Sequence, residues 1–217
     1  MAAPTIESQA SSTGALSNSH DINYPTDISS GDLIVTFFTY NSSATITTPP
    51  SGFTQLLNTT SGLGKLACYY KVADGTETGT VSVGFSGNSR FCAFTYRISG
   101  AGTIEGSTAT GSSVNPNPPS LTHSSGAGDY LAIAVEGNIG GLSTATISAY
   151  PSGYTNTGQV KIAYTQLGYS NKDVTSDTEN PGAFTLSASI DWIGATVMIL
   201  GTGGAGADAG VMVGFNF

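Results

Sequence analysis

Two histidines, five loop acids and a scatter of tyrosines are the residues of this chain whose types could do chemistry. His20 and His123 each precede a predicted central strand, with Asp21 and Asp129 close to them in sequence. A histidine oriented by a carboxylate can activate a serine hydroxyl. Ser and Thr are so abundant here that a hydroxyl near a histidine carries no information, and no strand-to-turn nucleophile motif is present. Asp173, Asp177 and Glu179 share one loop, and Asp74 and Glu77 share the corresponding earlier loop. Clustered oxygen ligands of this kind suit Ca²⁺, but the spacing is not that of an EF-hand, and acidic residues favour turns for local backbone reasons. Glu136 and Asp191 are acids in or beside predicted central strands. Glycoside hydrolysis needs two such acids facing each other across a cleft, whereas an edge or solvent-facing position accounts for each separately. No Cys/His spacing suits zinc. The sequence therefore reads as non-enzymatic, with no catalytic residue, no cofactor and no metal.

Aromatic residues could stack on sugar rings. Trp192, Tyr40, Tyr69, Tyr70, Tyr164 and Tyr169 mostly occupy alternating strand positions, where core packing is the default role. Tyr69 faces away from Cys68 and Tyr70, so one of the two tyrosines is expected at the surface. Tyr150 and Tyr154, on loops, are the candidates for stacking on a surface glycan.

The elements that must position these residues are written twice. GDLIVTFFTYN (Gly31–Asn41) returns as GDYLAIAVEGN (Gly128–Asn138), and PSGFT (Pro50–Thr54) returns as PSGYT (Pro151–Thr155). Leu66 and Lys71 return as Leu167 and Lys172, and FCAFTYRISG (Phe91–Gly100) is answered by WIGATVMILG (Trp192–Gly201). Such self-similarity marks one supersecondary unit used twice. Short β-rich runs with turn signals about every ten residues, and no helical apolar periodicity, predict an all-β, two-sheet antiparallel sandwich. A jelly roll built from two similar halves is the expected form, and an up-and-down barrel is its competitor. Leu33–Tyr40 is nearly continuous in apolar and β-branched residues, as in a strand covered on both faces.

The expected plan is a single domain over 1–201, with half-repeats at about 30–100 and 127–201. A short strand at Thr5–Gln9 and a Ser/Thr/Gly loop at Ser11–Asn18 precede a second strand around His20–Tyr24. Gly87–Asn88 reads as a hairpin turn. Residues 101–126, poor in apolar groups and ending in VNPNPPS, read as a crossover, not a strand. Residues 202–217 read as a Gly/Ala linker and an apolar arm. In that arm Val211, Val213, Phe215 and Phe217 share one alternating face and are the candidate interface residues.

Charged residues make up 9% of the 217, and the net charge is −8, so the surface must be solvated largely by hydroxyls and amides. The six basic residues, Lys65, Lys71, Arg90, Arg97, Lys161 and Lys172, are scattered. That leaves no footprint for nucleic acid or an anionic membrane. Cys68 and Cys92 read as small core residues. Tyr169 and Ile193 stand in their places in the second half, so a disulfide is not part of the shared plan. The first residues lack the basic and apolar regions of a signal peptide, and no apolar run reaches membrane-spanning length.

Four of these motifs together resemble a family of phage and phage-derived proteins. They are the Gly-Asp strand opening (Gly31–Val35), the Pro-Ser-Gly-aromatic turn (Pro50–Phe53), the Cys-Tyr-Tyr-Lys-Val strand (Cys68–Val72) and the closing strand ending in Tyr-Arg (Phe94–Arg97). The second half keeps the first two and departs at Asn171–Asp173. The resemblance covers about residues 5–201. It implies a β-sandwich virion protein: a capsid decoration protein, or alternatively a head fibre or tail adhesin that binds host carbohydrate. The expected partners are then the major capsid protein and other copies of the chain, as a homo-oligomer such as a trimer. The location implied is the virion, with assembly in the host cytoplasm.

Overall fold

The structure, a computed structural model, describes residues 2–140 and 145–202. The described residues form strands and no helix, so no helix among them is long and apolar enough to cross a membrane. The first half supplies β1 (Thr5–Asn23), β2 (Leu33–Asn41), β3 (Ile46–Thr48), β4 (Thr54–Ser61), β5 (Gly64–Val72) and β6 (Thr80–Ser99). The second supplies β7 (Ala101–Ser113), β8 (Leu121–Thr122), β9 (Tyr130–Ile139), β10 (Ile147–Ala149), β11 (Thr155–Ile162), β12 (Thr165–Val174), β13 (Thr178–Glu179), β14 (Thr185–Leu186) and β15 (Ile190–Gly201).

Each half makes its own antiparallel sheet, and the two sheets have the same plan. The first runs β1-β6-β2-β5-β4 and the second β7-β15-β9-β12-β11. The two-sheet sandwich and its two similar halves are as the sequence predicts. The jelly-roll wiring is not what this order describes, because each half closes within one sheet instead of alternating between two.

Inward side chains of both sheets meet in a single core. Val35, Phe37, Cys68, Phe94 and Tyr96 from the first sheet pack with Ile133, Val135, Leu167, Ala195 and Val197 from the second. Edges β4 and β7 lie against one another, joined by Thr59 Oγ1 and Thr108 Oγ1 at 2.8 Å. Edges β1 and β11 also touch. Since β7 repeats β1 and β11 repeats β4, these are one contact seen from each half. The chain is thus folded about an approximate internal twofold, like the isologous interface of a dimer.

The pairing corrects several expectations. Residues 101–113 form β7, the second copy of β1, and so are not part of a crossover. Its sequence marker is Thr5-Ile6-Glu7, which returns as Thr103-Ile104-Glu105. Residues 11–18, expected as a loop, continue β1 to Asn23 along its long partner β6. Polar Ser/Thr edge strands hide from a hydrophobicity pattern because one face is wet and the other only half-covered. Gly87–Asn88 does not end a hairpin. Ser17 pairs with Ser89 and Ser19 with Gly84, so the glycine and asparagine sit in a bulge where the β1–β6 ribbon changes register.

Both outer faces are covered as well. On the first sheet Ile22, Val83 and Phe85 close over Phe38, Tyr40, Tyr69 and Phe91. That covering is why every residue of β2 from Leu33 to Tyr40 is buried, and why Tyr69 is buried and Tyr70 half-buried instead of one being exposed. On the second sheet the β10–β14 ribbon takes the equivalent place. Ile46 pairs with Phe85 in the first half and Ile147 with Leu186 in the second. Ser86 Oγ accepts from Thr45 N and Oγ1, and Ser187 Oγ accepts from Thr146 N and Oγ1, all at 3.0–3.1 Å.

Candidate functional site

The histidines are structural. His20 is buried, stacks on Phe91 at 4.9 Å with rings 7° apart, and places Nε2 2.9 Å from Ser89 O. Asp21 is exposed and accepts from Ser82 Oγ at 2.6 Å, so the two form no dyad. His123 is buried against Tyr130, and its Nδ1 accepts from Ser125 N at 3.2 Å. Glu105 lies 3.9 Å from that nitrogen and accepts from both Ser124 N and Ser124 Oγ. A serine bonded to the carboxylate instead of the imidazole is the wrong order for nucleophile activation. The Ser124 hydroxyl bond holds the Glu105 carboxyl below its ordinary range.

The loop acids brace turns. Glu77 pairs with Lys71 at 2.6 Å and accepts from the amides of Asp74 and Gly75. Burial acts to raise its carboxyl, but the Lys71 bond and the amides outweigh it and pull it below the usual range. The motif repeats: Lys71 lies 5.9 Å from the Phe53 ring, and Lys172, paired with Glu179 at 3.2 Å, lies 5.8 Å from the Tyr154 ring. These corners fix the Pro-Ser-Gly-aromatic turns, in which Gly52 and Gly153 take φ of 80° and 79°. Asp173 is exposed and Asp177 Oδ1 accepts from Thr178 Oγ1. Among the described residues no three His, Cys, Asp or Glu side chains group as metal ligands.

Asp32 and Arg97, from the Gly-Asp and Tyr-Arg motifs, meet in a largely buried pair at 2.6 Å, and Asp32 also accepts from Ser29 N at 2.8 Å. Met198 replaces the arginine in the second half. Asp32→Ala strands the guanidinium and is expected to cost about 3 kcal/mol of stability, the low end for breaking a buried pair, measured by urea unfolding.

Tyr154, expected on an exposed loop, is buried, and its hydroxyl donates to Glu179 Oε1 at 3.2 Å. A ring held between core and lysine offers no free face to a sugar. Tyr150 is half-buried, edge-on to Phe184 at 5.9 Å. Val211, Val213, Phe215 and Phe217 lie outside the described residues. Cys68 and Cys92 are free, buried core thiols, as the sequence predicts; burial pushes Cys92 up to about 12, far from a reactive thiolate.

Glu136 is a second residue that sequence reasoning placed wrongly. It is neither at an edge nor solvent-facing, but fully buried on the outer face of central strand β9. Asp191, by contrast, is exposed. Asn138 Nδ2 donates to Glu136 Oε1 at 2.7 Å and Gln166 Nε2 to Oε2 at 3.4 Å. Register shows what it replaces. Leu33 pairs with Ile98 and Leu131 with Ile199, so the strands correspond at a separation of 98, one more than the Gly-Asp motifs suggest. Glu136 therefore stands where the first half has Phe38, and Asn138 where it has Tyr40. Across the neighbouring strands, Ser170 replaces Tyr69 and Trp192 replaces Phe91. Desolvation pushes the Glu136 carboxyl up to about 7, against the two amide bonds that pull it down. The one sequence signal is an acid within a largely apolar strand, with Asn138 the other polar side chain on its face.

The hollow between the β1 edge and β11–β12, about 270 Å³, is lined by Pro4, Ile6, Leu131, Asn156, Asn171 and Asp173. It converges no catalytic set. Comparison of the chain with family models, with curated proteins and with solved structures finds no match in any of the three.

Proposed function

We propose that this chain is a non-enzymatic structural protein of a phage virion, a capsid decoration protein that binds the head shell as a homo-oligomer. The observation that carries the reading is where the ends of the sandwich body meet. Gly201 N donates to Asp129 O at 2.9 Å, Thr202 N donates to Gly100 O at 2.7 Å, and Gly201 abuts the Ala2 carbonyl. The first residues, the joint between halves and the exit of the last strand thus share one end of the sandwich. A partner bound through residues beyond 202 would then be anchored at that end.

The rest of the molecule fits a passive body. Both faces of both sheets are tied up in packing, the acids brace turns, and the histidines serve the core. Thr5–Gln9 belongs to β1 and is not a detached arm, which leaves 203–217 as the anchor, centred on Phe215 and Phe217. Apolar anchors at an interface centre usually dominate binding.

Deletion of 210–217 is expected to leave unfolding of the sandwich unchanged and to lower occupancy on capsids lacking the protein at least about tenfold, the loss of one strong anchor. Wild-type occupancy by the truncated chain would contradict the anchor.

A further inference from the structure

The second half differs from the first in one concentrated way. Beneath the cover of the first sheet lie Phe38, Tyr40, Tyr69 and Phe91, with Tyr40 and Tyr69 hydroxyls donating to Asn58 and Gln55. On the outer face of the second sheet, where the β10–β14 ribbon packs, Glu136, Asn138, Gln166 and Ser170 are buried. Two glycines make room: Gly168 and Gly194 flank Glu136 on β12 and β15. A Cβ on Gly168 would fall 1.9 Å from Ile147 Cδ1 of the ribbon, and one on Gly194 would fall 2.9 Å from Pro118. The ribbon and the 115–120 loop therefore close directly over the carboxyl.

Donors and acceptors in this cluster do not balance when Glu136 is ionised. Asn138 Oδ1, Gln166 Oε1 and Ser170 Oγ are buried without a partner; the serine hydroxyl can supply one donor against two acceptors, and a carboxylate only accepts. A protonated carboxyl brings the missing donor; with the Gln166 amide turned over, a choice that only the hydrogen-bond network decides, it can donate to Oε1. No cation opposes this. Gln166 and Ser170 from β12, Gly194, Trp192 and Thr196 from β15, Ile147 from β10 and Pro118 from the loop are uncharged. Residues 141–144 carry no titratable side chain. Lys172, on the same face of β12, is held by Glu179, and Tyr150 is the titratable group whose charge acts with Glu136.

We propose that Glu136 is a pH-operated latch. Its protonated form holds the β10–β14 ribbon on the second sheet, and loss of the proton to solvent releases that ribbon while the first half stays closed. The inference is independent of the virion reading.

The internal repeat supplies the control. Ser187 N donates to Thr146 O at 2.9 Å in the ribbon, and Ser86 N donates to Thr45 O at 2.9 Å in the first half. Amide exchange of both is followed from pH 5 to 9 and corrected for intrinsic rates. In the wild type, protection of Ser187 and Leu186 is expected to fall at least about tenfold as Glu136 ionises, with Ser86 unchanged. Emission of Trp192, the single tryptophan, should change in step. In Glu136→Gln the Ser187 profile should be flat. Parallel Ser187 profiles in the two proteins, or equal loss at Ser86, would overturn the latch. Should the variant not fold, a ¹³C titration of the wild-type Glu136 carboxyl decides: a midpoint near 7 at which Ser187 protection also falls supports the latch, and a midpoint in the ordinary glutamate range, or no fall at the midpoint, overturns it.

Discussion

Phe94→Ala is expected to destabilise the protein by about 3–5 kcal/mol, the range for truncating a fully packed aromatic. Phe94 sits where the two sheets meet. Its ring lies 5.0 Å from Phe37 and 5.1 Å from Tyr96 on its own sheet, and 4.3 Å from Tyr169 on the other. Truncation opens a cavity lined by both halves, and the ladders on either side prevent the sheets from closing it. The melting temperature should fall by roughly 10–15 °C, since a domain of this size shifts about 2–4 °C per kcal/mol. Calorimetry checks this. A loss below about 1 kcal/mol would mean that the sheets are not packed through this ring.

The second large effect is a fall in stability as pH rises. The Glu136 carboxyl is pushed from 4.5 up to about 7 by burial. Between those values the folded protein binds more protons than the unfolded chain, so unfolding free energy must decrease with rising pH. The contribution is fully present below about pH 4.5, is lost as pH passes through about 7 and is level above that. Its size is on the order of 3 kcal/mol, from about 1.4 kcal/mol per pKa unit. Carboxyls held low, such as Glu77 and Glu105, lose stabilisation as pH falls, so the difference between wild type and Glu136→Gln isolates the contribution of Glu136. Urea unfolding of both proteins at pH 5 and pH 8 measures it. The variant should gain on the wild type at pH 8; an equal response of both would remove the effect.

How much of this could be read from the sequence depends on what each residue advertises. The central strands announce themselves because both faces are apolar, and the repeated Pro-Ser-Gly turns announce the doubling. The two ends of β1 are legible, but its middle and all of β7 stay hidden because Ser, Thr and Gly pair through backbone without an apolar alternation. That ribbons cover the outer faces stays hidden, because β10 and β14 are only three and two residues long and pair apart from the main sheets. Burial of Glu136 and Tyr154 depends on those ribbons and on the Lys-Glu corner, so neither could be placed before the covers were known. The one-residue slip between halves, which sets Glu136 against Phe38, exists only in the pairing register.

The proposed role is tested most directly by the copy number of this chain relative to the major shell protein in purified particles, by quantitative mass spectrometry. A decoration protein should be present in numbers comparable to the shell protein. A few copies to a few dozen would point instead to a fibre or tail adhesin, and absence from the particle would contradict the virion reading altogether.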